Sequence, residues 1–177
     1  VLRAEVPIAD RSDTLVVAGM LVVSPADSLS QTEAETAGVA VMVAGSRRLL
    51  LAGPPASLEW VLHGTDRASP VDWERACIQD GEPTVYPESA GHWIPQMLNL
   101  DLLSAVSFTK GCYVGQEIVA RTQHLGRIKR RMMRYAGPAG APHPPGLTLF
   151  SGDTRAAEVV TACDGPRRQR TWRVLAP

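Results

Sequence analysis

The opening third of the chain is patterned for strands. VLRAEVPI (1–8) alternates, with Arg3 and Glu5 outward, and Arg11-Ser12-Asp13 turns. TLVVAGMLVV (14–23) is a β-branched run of the buried-strand kind. Residues 24–37, rich in Ser, Asp and Glu, predict a loop with a short helical turn near Glu33. VAVMVAG and RRLLLAG, within 39–53, predict a hairpin through Gly45 and Ser46. Helical signals come next. PPASLEWVLHG has prolines near its start and Gly64 past its end. A second helix is predicted from Ser69 as N-cap and Pro70 at the first position, with Asp72 and Glu74 in the first turn and Gly81 as terminator. Its apolar face would be Val71, Trp73, Ala76 and Cys77. Residues 82–95 are loop-like, QMLNLDLLSAV is a short helix or turn, and GQEIVARTQHLG is a helix closed by Gly126. Beyond it, RIKRRMMRYAG alternates basic and apolar residues as a strand. GPAGAPHPPG is a turn-rich connection, and LTLF, RAAEVVTAC and TWRVLA are strands of a small antiparallel unit. The pattern predicts an α+β domain over 1–125 followed by part of a β-barrel-like module over 126–177. The chain starts at Val1 on a strand pattern and ends at RVLAP, so it reads as part of a longer protein.

Composition narrows this only a little. At 177 residues, one large domain or one and a half both fit. A chain of this size buries about 70% of its unfolded surface, so no disulfide staple is required. Lys plus Arg is 18 and Asp plus Glu is 18, so global charge favours no class of partner. The distribution is less even: Arg121, Arg127, Lys129, Arg130, Arg131 and Arg134 share a window with no acidic residue. Such a stripe meets phosphates or a polyanionic tail, or else protects a strand edge from aggregation. Cys77, Cys112 and Cys163 show no metal-ligand spacing, so no metal site built within the chain is expected. Their odd number fits a reducing compartment, and no run approaches the length of a membrane span or has the form of a secretory signal. The expectation is a cytoplasmic protein with no membrane association.

TKGCYVGQEIVAR (109–121) carries the candidate chemistry. Cys112 lies between Gly111 and Tyr113, just ahead of the helix opening near Gly115, where the positive end of a helix favours a thiolate and Lys110 would add to that if folded back. Two readings stand: a working thiol, or a small apolar filler beside a turn. Glu117 and Arg121, four apart, make either a local ion pair or, with Gln116, a polar floor that grips the edge of a pterin or purine ring. Trp73 on an amphipathic helix is core by default, and His92-Trp93 lies in an irregular stretch where an aromatic can stack on a ligand. Cys77 and Cys163, on apolar elements, are assigned packing roles.

KGCYVGQE resembles the signature K-G-C-Y-x-G-Q-E of the YgfZ family. WIPQMLNLDLLSAVSFTKGCY resembles the segment that precedes it there, with P-Q-x-x-N-L and S-F before the lysine, and GRIKRRMMRYAG resembles the family's segment on the C-terminal side of the signature. The resemblance extends over the whole chain and is densest between Trp73 and Arg134. It implies the fold of the aminomethyltransferases of glycine cleavage: a ferredoxin-like half, a second α+β domain and a C-terminal antiparallel β-barrel around a folate pocket, with the N-terminal part missing here. It implies tetrahydrofolate binding and a role in making or maintaining iron–sulfur clusters in client enzymes, among them the radical enzymes that thiolate tRNA. By the same resemblance Cys112 is the residue on which activity depends, with Lys110 beside it. Trp73 stands where the family places a tryptophan against folate; with it, Tyr113 and the polar floor of Gln116, Glu117 and Arg121 are the expected cofactor-binding residues. The family's asparagine contact falls in a region absent here. Two rival readings remain. One is an aminomethyltransferase acting with tetrahydrofolate, which needs a carboxylate in the N-terminal half and no Cys112. The other is a tRNA-binding module on the Arg121–Arg134 stripe, ranked last because no aromatic interleaves with the basic residues before Tyr135.

Overall fold

The structure, a computed structural model, describes residues 9–22, 29–138, 143–164 and 169–176, with the side chains of 31, 169–173 and 175 excepted. The strand expected over 1–8 lies outside the described residues. The chain divides into two compact units, 1–69 and 70–177. The boundary expected near residue 125 falls inside the second.

The first unit contains β1 (Val16–Leu21), α1 (Gln31–Thr36), β2 (Ala40–Val43), β3 (Arg48–Gly53) and α2 (Pro55–Val61). The strands form an antiparallel sheet in the order β1-β3-β2. The expected hairpin is present, with Val43 opposite Leu49 and Gly45 turning at φ 87°. The backbone N–H of Glu33 donates to Ser30 Oγ (3.4 Å), which starts α1 inside the stretch expected to be mostly loop. Ala34, Val39, Leu51 and Leu58 form the core. The buried-strand expectation for 14–23 needs correction. Among the described residues β1 pairs only with β3, at the sheet border, and Val17 is 71% exposed. Its β-branched residues satisfy strand propensity there rather than burial.

The second unit contains α3 (Pro70–Asp80), short 3-10 turns at Pro87–Ser89 and Pro95–Leu98, α4 (Gln116–His124), β4 (Arg131–Pro138), β5 (Thr148–Ser151), β6 (Thr154–Asp164) and β7 (Gln169–Ala176). The four strands form an antiparallel sheet in the order β4-β7-β6-β5. β6 carries an extra residue between Val159 and Thr161, which breaks the simple alternation of faces. Ala157 and Val159 before it therefore share one apolar cluster with Ala162 after it, together with Leu149, Val174 and Ala176. Val160 joins a second cluster with Met132 and Leu98, against which Trp93, Met97 and Leu100 pack.

α3 packs on β6 and β7 through Ala76 and Ile78, the residues it buries. Val71 is exposed and Trp73 and Cys77 are only half-buried, so the helix is turned away from the face its apolar spacing predicted. Polar ties set that rotation. Arg75 Nη2 donates to Asp164 O (3.0 Å). Tyr86 Oη donates to Glu74 Oε1 (3.3 Å) and lies 3.2 Å from Thr161 Oγ1. Cys163 is buried, as expected of a packing residue. Among the described residues no helix is long and apolar enough to cross a membrane.

Candidate functional site

The signature segment forms a loop along α4. Its start is fixed where Phe108 meets the ring of His124 edge to face, centroids 6.4 Å apart. Its end is fixed where the backbone N–H of Tyr113 donates to Gln116 Oε1 (3.0 Å). Ser107 Oγ, just ahead of Phe108, accepts from the backbone N–H of Lys110 (3.1 Å). Gly115 caps α4 with φ +85°, a left-handed conformation that carries little penalty only for glycine. Gly111 has no positive φ, so of the two signature glycines only Gly115 is required for its backbone.

Cys112 is exposed on this loop, three residues ahead of the helix cap. The burial expected of a filler residue is absent. Lys110 Nζ lies 4.6 Å from the centroid of the Tyr113 ring, a cation–π contact that holds the ammonium on the loop surface. Val114 is fully exposed, and Tyr113 and Ile118 are exposed beside it. Tyr113, Val114, Gly115, Gln116, Glu117 and Ile118 line a concavity of about 350 Å³. Gln116 uses its oxygen on Tyr113, which leaves its two amide hydrogens to donate outward. Glu117 and Arg121 are both exposed and make no ion pair with each other, so the simplest reading of their spacing does not hold. Trp73 is half-buried on α3 and is not among the residues lining this concavity.

A cluster that sequence reasoning did not pick out holds α4 and the sheet together. Gln96, fully buried, donates from Nε2 to Val119 O in the middle of α4 (2.7 Å). Asn99 adopts φ 60° and donates from Nδ2 to Met132 O on β4 (2.8 Å). Arg131 Nη1 donates to Gln96 O (3.1 Å), Asn99 Oδ1 (3.2 Å) and Asp101 Oδ1 (3.0 Å), and Nη2 donates to Asp101 Oδ2 (2.9 Å). The guanidinium beside Asp101 holds its carboxyl below the usual range, and the same hydrogen bonding raises Arg131. These residues are the P-Q-x-x-N-L-D run, so its polar members are positioning residues for the signature helix. The signal that could have found them was the P-Q-x-x-N-L motif.

The basic stripe separates in space. Arg131 is consumed by Asp101, whereas Arg121, Arg127, Lys129, Arg130 and Arg134 have no ion pair among the described residues. Arg130 lines a cleft of about 400 Å³ with His92, Trp93, Met97, Gly146, Thr148, Arg155 and Glu158. The buried carboxylate of Glu158 accepts from Trp93 Nε1 (3.2 Å) and from Arg155, with His92 Nδ1 3.4 Å away. Neither Glu158 nor Arg155 carried a sequence signal.

No family model matches the chain. Curated proteins do. The tRNA-modifying protein YgfZ of Vibrio atlanticus is 34% identical over 140 residues, covering 76% of this chain and 43% of that protein. Its counterpart in Pectobacterium carotovorum subsp. carotovorum is 38% identical over 132 residues, covering 71% and 40%. That of Colwellia psychrerythraea is 50% identical over 60 residues, covering 34% and 18%. The chain spans less than half the length of these relatives.

Proposed function

The chain belongs to the YgfZ family, and from that premise we propose that it is a tetrahydrofolate-binding accessory protein for iron–sulfur enzymes, including those that modify tRNA, working in the cytoplasm. In this reading the two units are parts of the aminomethyltransferase-like fold, the second contributing to its C-terminal barrel. Cys112 is the working thiol at the rim of the folate pocket. The observation that carries it is the exposure of Cys112 on a loop held at both ends by α4.

The residues present suit a pteridine. The outward amide hydrogens of Gln116 and the exposed carboxylate of Glu117, which has no ion pair among the described residues, offer a donor and an acceptor, the set that the edge of such a ring requires. Tyr113 supplies an aromatic wall, and Arg121 a cation for an acidic tail one helical turn from Glu117. When bound, the folate would supply one-carbon chemistry. The chain would orient it and keep the thiol of Cys112 reachable beside Lys110. The family's pattern assigns Trp73 to folate as well; it does not line the concavity from Tyr113 to Ile118, so in this reading it meets a part of the folate that lies outside that concavity.

Two measurements test this. Titration calorimetry of the full-length protein with tetrahydrofolate should give saturable binding, weakened about tenfold by Trp73→Leu, the loss expected for one aromatic stacking contact. Cys112→Ala should retain that binding while cells carrying it lose tRNA methylthiolation. Normal methylthiolation with a folded Cys112→Ala protein would sink the thiol role.

A further inference from the structure

The geometry points to a nucleotide-binding cleft in the second unit, one that takes the phosphate of a single-stranded RNA on Arg130 and Arg155 and its base against Trp93. It is independent of the folate reading and uses none of its residues.

Arg130 is half-buried in the cleft and makes no hydrogen bond or ion pair among the described residues. A guanidinium withdrawn from water without a partner is costly, and an incoming oxyanion matches its fork of donors. Arg155 shares the cleft. It gives one nitrogen to Glu158 and keeps its remaining N–H groups for a ligand. Glu158 does not cancel the attraction. Its oxygens are already bound by Trp93 and Arg155, and one carboxylate stands against two guanidinium groups. Thr148 adds a hydroxyl to the same wall.

The other wall suits a base. Trp93 is half-buried, with its indole N–H committed to Glu158, so the ring is fixed in place before any ligand arrives. Met97 extends this apolar surface. A volume of about 400 Å³ is in the range of small-ligand clefts and accommodates a mononucleotide. The basic run in the sequence lacks an interleaved aromatic, and the fold supplies one from residue 93. Arg127, Lys129 and Arg134 are exposed, carry no acidic partner among the described residues, and flank Arg130 in the chain. They give neighbouring phosphates somewhere to go, as single-strand binding requires.

The test is fluorescence anisotropy of the full-length protein with a short labelled oligouridylate across a salt series. Arg130→Gln should weaken binding about tenfold and lower the log–log salt slope by about 0.7, the loss of one phosphate contact. It should leave thermal unfolding unchanged, because Arg130 bonds to no described residue. Trp93→Leu should weaken binding about tenfold with the salt slope intact, since stacking releases no counterions. Uridine 5′-monophosphate should compete and uridine should not. The assignment fails if Arg130→Gln and Arg67→Gln, an exposed arginine of the first unit, have equal effects. It fails also if uridine competes as well as its phosphate, or if an acidic peptide displaces the RNA equally well.

Discussion

The tie between Asp101 and Arg131 allows a quantitative forecast. Asp101→Asn keeps the shape of the side chain, removes its charge, and turns one acceptor into an amide donor facing Arg131 Nη2. Two charge-assisted hydrogen bonds, at 3.0 and 2.9 Å, are affected. The Asp101 side chain is 9% exposed and that of Arg131 33%, so solvent screens the pair only in part. A charge-assisted bond contributes about 1.5–3 kcal/mol, and discounting for the exposed arginine leaves a net loss of about 2 kcal/mol. Hydrogen exchange read by mass spectrometry suits a chain of two units, because it reports opening locally. Peptides over 95–105 and 129–136 should lose protection by about 30-fold, with the first unit unchanged. The pH dependence has a definite sign. Hydrogen bonding from Arg131 depresses the carboxyl of Asp101 below its ordinary 3.8, so its contribution is complete above that value. It is lost as pH falls through the lower folded value. The gap between the two proteins should therefore be constant from neutral pH to about pH 5 and close only in stronger acid. A gap under about 0.5 kcal/mol at neutral pH, the size of an exposed pair, would mean that the clamp contributes nothing special.

Thiol labelling with a disulfide reagent should show one fast group. Cys112 is exposed, Cys77 half-buried and Cys163 buried, so Cys112→Ala should abolish the fast phase. The same substitution should change stability by less than about 0.5 kcal/mol, as measured by denaturant titration. Gly115→Ala meets no atom within 4 Å but must hold φ +85°, and should cost about 1 kcal/mol by thermal unfolding, with Gly115→Asn costing less. Gly126→Ala has ordinary φ, yet its Cβ would lie 2.9 Å from Thr122 Cα and 3.0 Å from Thr122 O. It should therefore destabilise more than Gly115→Ala, since backbone cannot yield as a side chain does.

What the sequence made legible was local. Gly45 at the hairpin, the helical turn near Glu33, and the α4 helix between Gly115 and Gly126 all arise from residues within a few positions of one another. The exposed face of β1 was not legible, because a run of valines reads alike at a sheet border and in its middle. The turn of α3 toward Ile78 was lost for another reason. It depends on Tyr86 and Asp164, far along the chain, and apolar spacing cannot register a polar tie. The signature stood out by its composition, but the contacts that hold it did not. The P-Q-x-x-N-L motif marks Gln96 and Asn99, but not their targets, because they act on Val119 and Met132 through backbone carbonyls, which every residue possesses. For the same reason the basic stripe looked uniform. Only folding spends Arg131 on Asp101 and carries Arg130 to Trp93.

Cys112, Tyr113 and Val114 are exposed in succession, Val114 fully, at the open edge of the concavity that Tyr113 and Val114 help to line. A thiol sunk in a crevice can be reached by a small molecule or by another protein's flexible tail. A sulfur exposed at a rim can also be touched by a broad, rigid surface, with neither backbone having to open first. In the reading proposed above, an encounter between Cys112 and a folded partner would be limited by how often the two collide in the right orientation, with the fully exposed Val114 beside it as an apolar contact.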